Sequence, residues 1–248
     1  MGRNLCAIAL KEVKSLFLSP IAYTVFVVAL IINGFAFYLL TGYYSTPTTS
    51  PMGSVMEMFF GGTFFYWFLM MLVVPVITMR TFAEEKRSGT IETLMTAPVS
   101  DAEVVLGKFL GVFVFFMALW LPVAFYCLYL KRYGGLDWGE VLTGIVGTLL
   151  MGGALLAMGV FSSTLSRNQV VAAVISFGII LALFSTGFLD IVIKGGKAAK
   201  VANYISFLDR FRAFSQGIFD TRDIVYYLGL LVFFLFLSIR SLETRKWR

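Results

Sequence analysis

Residues Ile21–Leu40 read IAYTVFVVALIINGFAFYLL, about twenty positions without a charge. A helix needs about 20 apolar residues to cross a bilayer. The run is too long for a signal-peptide core, no small-x-small cleavage site follows it, and further runs do, so it reads as an uncleaved first span. Working outward, five more such runs follow: Phe59–Met79, Phe109–Leu130, Val141–Phe161, Val170–Ile193 and Ile224–Ile239. The last is short, and Arg222 and Arg240 extend it as snorkelling ends. Pro75 and Pro122 lie inside spans, where kinks are expected rather than breaks. Asp190 is the one charge within a run; near the run's end and Lys194, it reads as interfacial.

Composition supports a membrane protein. Of 248 residues, 59% are hydrophobic and 14% charged, against about 45–50% and 25% in soluble chains. The expected class is an all-α polytopic membrane protein with six transmembrane helices, one domain over residues 1–248. The net charge of +6 would suggest nucleic acid in a soluble protein. Here the basic residues flank apolar runs, as at anionic lipid surfaces, so membrane lipids are the expected contact and nucleic acid is not. There is no histidine, which removes the commonest general base and metal ligand. Cys6 and Cys127 are far apart and form no metal motif.

Before the first run, Leu5, Ile8, Ala9, Val13, Leu16 and Phe17 recur at helical spacing, opposite Asn4, Lys11, Lys14 and Ser15. Residues 1–19 therefore read as an amphipathic elbow helix on the membrane surface, with Pro20 marking the turn into the bilayer. Arg3, Lys11 and Lys14 precede the first span, and no Lys or Arg falls between Thr41 and Met79. That asymmetry puts both termini in the cytoplasm. Gly107, Gly111, Gly144, Gly147, Gly152 and Gly153 allow close helix approach, with packing inside the chain favoured over a dimer motif.

Two charged segments remain. In 194–223, Val201, Tyr204, Ile205, Leu208, Phe211, Phe214 and Ile218 recur at three- and four-residue spacing, and Ser206 and Asp209 are capping residues. This reads as short amphipathic helices at the outer face between spans five and six, with Tyr204, Leu208, Phe211 and Phe214 as an outer gate. The other segment, 80–108, is too long and too charged for a connector. The second span continues to Ser88, and Gly89 is a left-handed C-cap. Thr90 starts a short crosswise helix with Ile91, Leu94 and Met95 on one face and Glu92 on the other, ended by Pro98. Ser100-Asp101-Ala102-Glu103 is a capping box that opens the third span. Such a helix suits docking in a groove of a soluble partner; on physics alone, packing against the chain's own surface is equally good.

The block Glu84-Glu85-Lys86-Arg87, Ser88-Gly89-Thr90, Glu92-Thr93-Leu94 and Ala97-Pro98-Val99-Ser100 resembles the cytoplasmic hallmark of type 2 ABC-transporter permeases. The elbow, the spans and the outer segment agree over essentially the whole chain. Asp220-Thr221-Arg222-Asp223 and the ending Arg240–Arg248 resemble the gliding-motility subgroup. The resemblance implies a permease subunit in a prokaryotic inner membrane, more in keeping with export than import. It implies a second permease copy or related chain, a separate ATPase dimer docked on the coupling helix, and room for an outer-face accessory protein. ATP and Mg then belong to the ATPase, and this chain binds no cofactor and is not an enzyme. The chain has no G-x-x-x-x-G-K-[ST] phosphate loop; Gly195-Gly196-Lys197-Ala198 lacks the leading glycine and the hydroxyl. The alternatives are a secondary transporter or channel, which wants ionisable residues at mid-membrane, and an intramembrane enzyme, which wants a motif-borne nucleophile or paired carboxylates.

Overall fold

The computed structural model describes residues 2–46, 53–90, 99–133, 136–188 and 206–244. Every regular element among them is helical. Helix α1, Gly2–Phe17, is followed by α2, Pro20–Tyr44. Ser19 is the N-cap of α2 and Pro20 its first residue, where a fixed φ and a missing N–H cost nothing. At 25 residues, α2 is about 37 Å long.

The run expected to begin a span at Phe59 does not start as a regular helix. A single turn, α3 (Val55–Glu57), is capped by Ser54, whose Oγ accepts from Glu57 N at 3.0 Å. A π turn, Met58–Gly62, then breaks at Phe60 and Gly61. Gly61 has φ +89°, and an added Cβ would lie 2.7 Å from the Phe211 ring. Only glycine fits here. The span begins instead with α4, Phe64–Thr78, and passes through Met79 into α5, Arg80–Ser88. Gly89 closes α5 in the left-handed conformation, φ +75°, as its position suggested.

The expected capping box is present. Ser100 Oγ accepts from Glu103 N at 3.2 Å and Glu103 Oε2 from Ser100 N at 3.0 Å, opening α6, Asp101–Leu119. Pro122 interrupts the regular helix more than a kink would. The backbone tightens to three-residue hydrogen bonds at Trp120 and Val123 before α7, Val123–Tyr133, continues the apolar stretch. The central helix is α8, Trp138–Leu165, capped by Asp137. It packs against α4, α5, α6 and the remaining helices α9 (Gln169–Ser185), α10 (Phe207–Ser215) and α11 (Thr221–Glu243). Its glycines serve this packing. Phe60 fills the space at Gly144, Phe214 that at Gly147 and Phe116 that at Gly152. Gly107 and Gly111 of α6 likewise admit Ile8 and Glu12 of α1.

Among the described residues, five stretches are long and apolar enough to cross a membrane: Pro20–Tyr44, Phe64–Ser88, Asp101–Arg132, Trp138–Leu165 and Thr221–Glu243. The last is longer than its uncharged core because Arg222 and Arg240 lie within the helix. The run expected as span five is α9, 17 residues, plus one 3-10 turn, Thr186–Phe188. Its remainder, with Asp190, lies outside the described residues, as do Ile91, Glu92, Leu94, Met95, Pro98 and Tyr204.

Candidate functional site

At one end of the bundle, α5 carries the charged residues singled out in the sequence. Because the helix is interrupted at Met79, the first turn of α5 has backbone N–H groups without ladder partners. Ser163 of α8 supplies them. Its Oγ accepts from Phe82 N at 2.9 Å and Ala83 N at 3.1 Å, and donates to Met79 O at 3.1 Å. One hydroxyl thus fastens the α4–α5 joint to the central helix.

The four-residue charge run divides. Glu84 is half exposed and holds Arg80 at 3.0 Å, and Arg87 faces solvent. Glu85 and Lys86 turn inward. Lys86 is buried and its Nζ donates to Thr164 O of α8. Glu85 Oε1 lies 2.9 Å from Lys108 Nζ and 3.9 Å from Lys11 Nζ. Gly89 and Thr90 are exposed at the end of the rod. Arg80 also reaches back, donating from Nη1 to Ser19 Oγ at 2.6 Å.

Lys108, on α6, is the hub. Only 3% of its side chain is exposed. It meets Glu85, Glu12 Oε2 at 3.4 Å and Thr81 O at 2.7 Å, and its ammonium lies 5.0 Å from the centre of the Phe82 ring. A buried ammonium persists only when its charge and donors are met, as here. Burial pushes the Glu12 carboxyl above its usual range, while Lys108 pulls against that shift. Sequence reasoning missed Glu12. The signal was available: Leu5, Ile8, Glu12 and Leu16 share one helix face, so a lone acid sits on the apolar stripe. Ser163 was also missed, since a cap from another helix leaves no local pattern.

Thr143 and Thr164 lie near the two ends of α8, so α10, bonded at Thr143, marks the opposite end of the bundle. Phe211 and Phe214 are fully buried there, and Leu208 partly so. Phe211 stacks on Tyr66 at 5.1 Å and meets the Trp67 edge at 5.5 Å. Thr143 Oγ1 donates to Phe214 O at 2.7 Å, and Tyr227 Oη to Phe207 O at 2.8 Å. Arg210 pairs with Asp223 at 2.7 Å and lies over the Tyr226 ring. A cavity of about 340 Å³ opens beside this helix, lined by Glu57, Gly61, Trp67, Leu208, Asp209 and Arg212 among others.

No group of three or more His, Cys, Asp or Glu able to hold a metal occurs among the described residues. The first site ties α1, α2, α6 and α8 to the stem that leads into 91–98.

Comparison with protein families matches residues 37–240 to the family described as ABC-2 family transporter protein. Comparison with curated proteins gives no match. With five stretches among the described residues long and apolar enough to span a bilayer and a match over most of its length, the chain belongs to the ABC-2 transporter family, as a multi-pass membrane permease.

Proposed function

We propose that the chain is the permease subunit of an ATP-driven exporter, working as a pair with a second permease copy or related chain and with a separate ATPase dimer. In this reading α9 and the residues after it form the fifth of six spans, α1 lies as an elbow on the inner surface, and both termini are cytoplasmic. Residues Thr90–Thr96 dock in the ATPase. The supporting observation is the stem. Helix α5 runs on from a span, and its base is bonded to α8 through Ser163 and Lys86 and to α6 and α1 through Glu85. A displacement passed into α5 by nucleotide-driven closure therefore reaches three other helices. Helix α10 with Leu208, Phe211 and Phe214 is the gate at the far side.

The gliding-motility likeness names no substrate and carries no part of this proposal. The test is purification of the tagged full chain from native membranes. The expected result is a co-purifying ATPase with a phosphate-loop motif that hydrolyses ATP faster with the chain than alone. Transport that persists when that ATPase is deleted would contradict the proposal.

A further inference from the structure

Helix α1 has two faces, and the apolar one belongs to the protein interior. Ile8 and Glu12 seat at Gly107 and Gly111 of α6, Leu16 is buried, and Phe17 meets the Phe115 ring edge-on at 5.1 Å. The stripe expected to lie on lipid is therefore taken up by α6. The opposite face is left outward. Arg3, Ala7, Leu10, Lys14 and Phe17 follow one another at three- and four-residue spacing, so they line one side of the helix. Arg3, Ala7, Leu10 and Lys14 are all exposed, Leu10 by 61%. Lys11 flanks them, its side chain 73% exposed and its Nζ 3.9 Å from Glu85. Just past the helix, Leu18 is 78% exposed. Glu12 is the only acid in residues 1–19, and it points the other way, to Lys108 at 3.4 Å. The inward turn of that one carboxylate leaves the outward face with cations and apolar side chains and no acid. The first stretch able to cross a membrane begins at Pro20, so this face ends where a bilayer begins.

We propose that the outward face of α1 docks on an anionic phospholipid surface, such as one rich in phosphatidylglycerol. Arg3 and Lys14 pair with headgroups of net negative charge, and Leu10 and Leu18 enter the boundary between headgroups and acyl chains. Long basic side chains reach headgroups while apolar neighbours on the same stripe sit deeper. Phosphatidylcholine carries the same phosphate, but its choline cancels the charge that selects. A nucleic acid also offers phosphates, yet it gives Leu10 and Leu18 no apolar medium and is not held beside the start of a span. The proposal rests on α1 lying at the inner membrane surface, as proposed above, and names the lipid class it meets there. It is independent of ATPase docking.

Cys6 is exposed on α1 and Cys127 is buried, so a maleimide fluorophore on Cys6 of the full chain reports on this helix. The labelled chain is placed in phosphatidylcholine nanodiscs containing the same small fraction of a nitroxide-bearing quencher lipid, either phosphatidylglycerol or phosphatidylcholine. The local share of phosphatidylglycerol, read from the quenching, is expected to exceed that of phosphatidylcholine by roughly fivefold, the scale of one basic residue near an anionic surface. High salt should shrink the preference. Arg3→Gln with Lys14→Gln should bring the two lipids to parity while melting like wild type, since both side chains are exposed. Arg3→Lys with Lys14→Arg, which keeps the charge, should keep the preference. Equal quenching by the two lipids in wild type, or a preference that survives the double Gln variant, overturns the proposal. So does an absence of quenching by either lipid, which would take the helix off the bilayer. Nucleic acid that co-purifies with wild type and is lost from the double Gln variant would make nucleic acid the partner and overturn it as well. A reporter fused at the N-terminus that reads outside would overturn the inner-surface reading itself, whatever the lipid preference, so the two failures are distinguishable.

Discussion

Lys108 Nζ and Glu85 Oε1 lie 2.9 Å apart, joining α6 to the stem of the second span, with Lys108 almost wholly enclosed. Because Glu12 shares the same ammonium, one cation serves two carboxylates from two other helices. Removing it leaves both acids without their main partner. Lys108→Ala is expected to cost about 3–5 kcal/mol, the range for breaking a buried pair from one side. Thermal unfolding of the detergent-purified variant checks this; a melting temperature equal to wild type would show that the hub carries no stability.

Glu12 gives a pH signature. Its carboxyl is raised above 4.5 in the folded chain, chiefly by burial. The folded state therefore holds this proton more tightly than the unfolded state. Stability from this group falls as pH rises from about 4.5 through the raised value, and is level above it. Glu12→Gln should flatten that part of the profile. The check is the difference in melting temperature between wild type and Glu12→Gln across this window, which should grow smaller as the pH is lowered.

Ser163 accepts from two backbone amides at the base of α5. Ser163→Ala strands the Phe82 and Ala83 amides. A stranded buried donor costs about 1–3 kcal/mol. The variant should still insert and still retain its ATPase, because 91–98 is untouched, yet stimulate ATP hydrolysis less. Measuring both on one preparation separates a loosened joint from lost docking.

At the other end, Gly61 combines positive φ with a Phe211 ring where its Cβ would go. Gly61→Ala is expected to destabilise by about 1–3 kcal/mol from backbone strain, with the steric clash in addition. Adding Phe211→Leu should recover the clash but not the strain. A double-mutant cycle of melting temperatures measures the two parts; full recovery would show that the φ angle is not strained.

Local signals were legible in the sequence. Gly89, the Ser100–Glu103 box, Pro20 and the Ser206 cap each depend on residues within a few positions, and each occurs as expected. Hydropathy found the long spans but overran at Phe59, because Phe59 and Phe60 are as apolar as a span while the bend is set by Gly61 and the ring across from it. The adjacent glycines, Gly61 and Gly62, were the available sign. The inward turn of Glu85 and Lys86 was not legible. Their partners Lys108 and Thr164 lie more than twenty positions away, so no local pattern separates these two charges from the exposed Glu84 and Arg87.

The proposed docking of Thr90–Thr96 in the ATPase is tested most directly by Leu94→Asp. Burying Ile91, Leu94 and Met95 in an ATPase groove contributes about 1.5–3 kcal/mol per side chain, and a carboxylate forced into that groove without a partner is costly. Wild type and Leu94→Asp are purified in the same detergent, and the ATPase bound to each is quantified. The docking proposal predicts a chain that inserts and melts like wild type but no longer retains its ATPase. A Leu94→Asp chain that inserts normally and holds the ATPase at wild-type levels would contradict it.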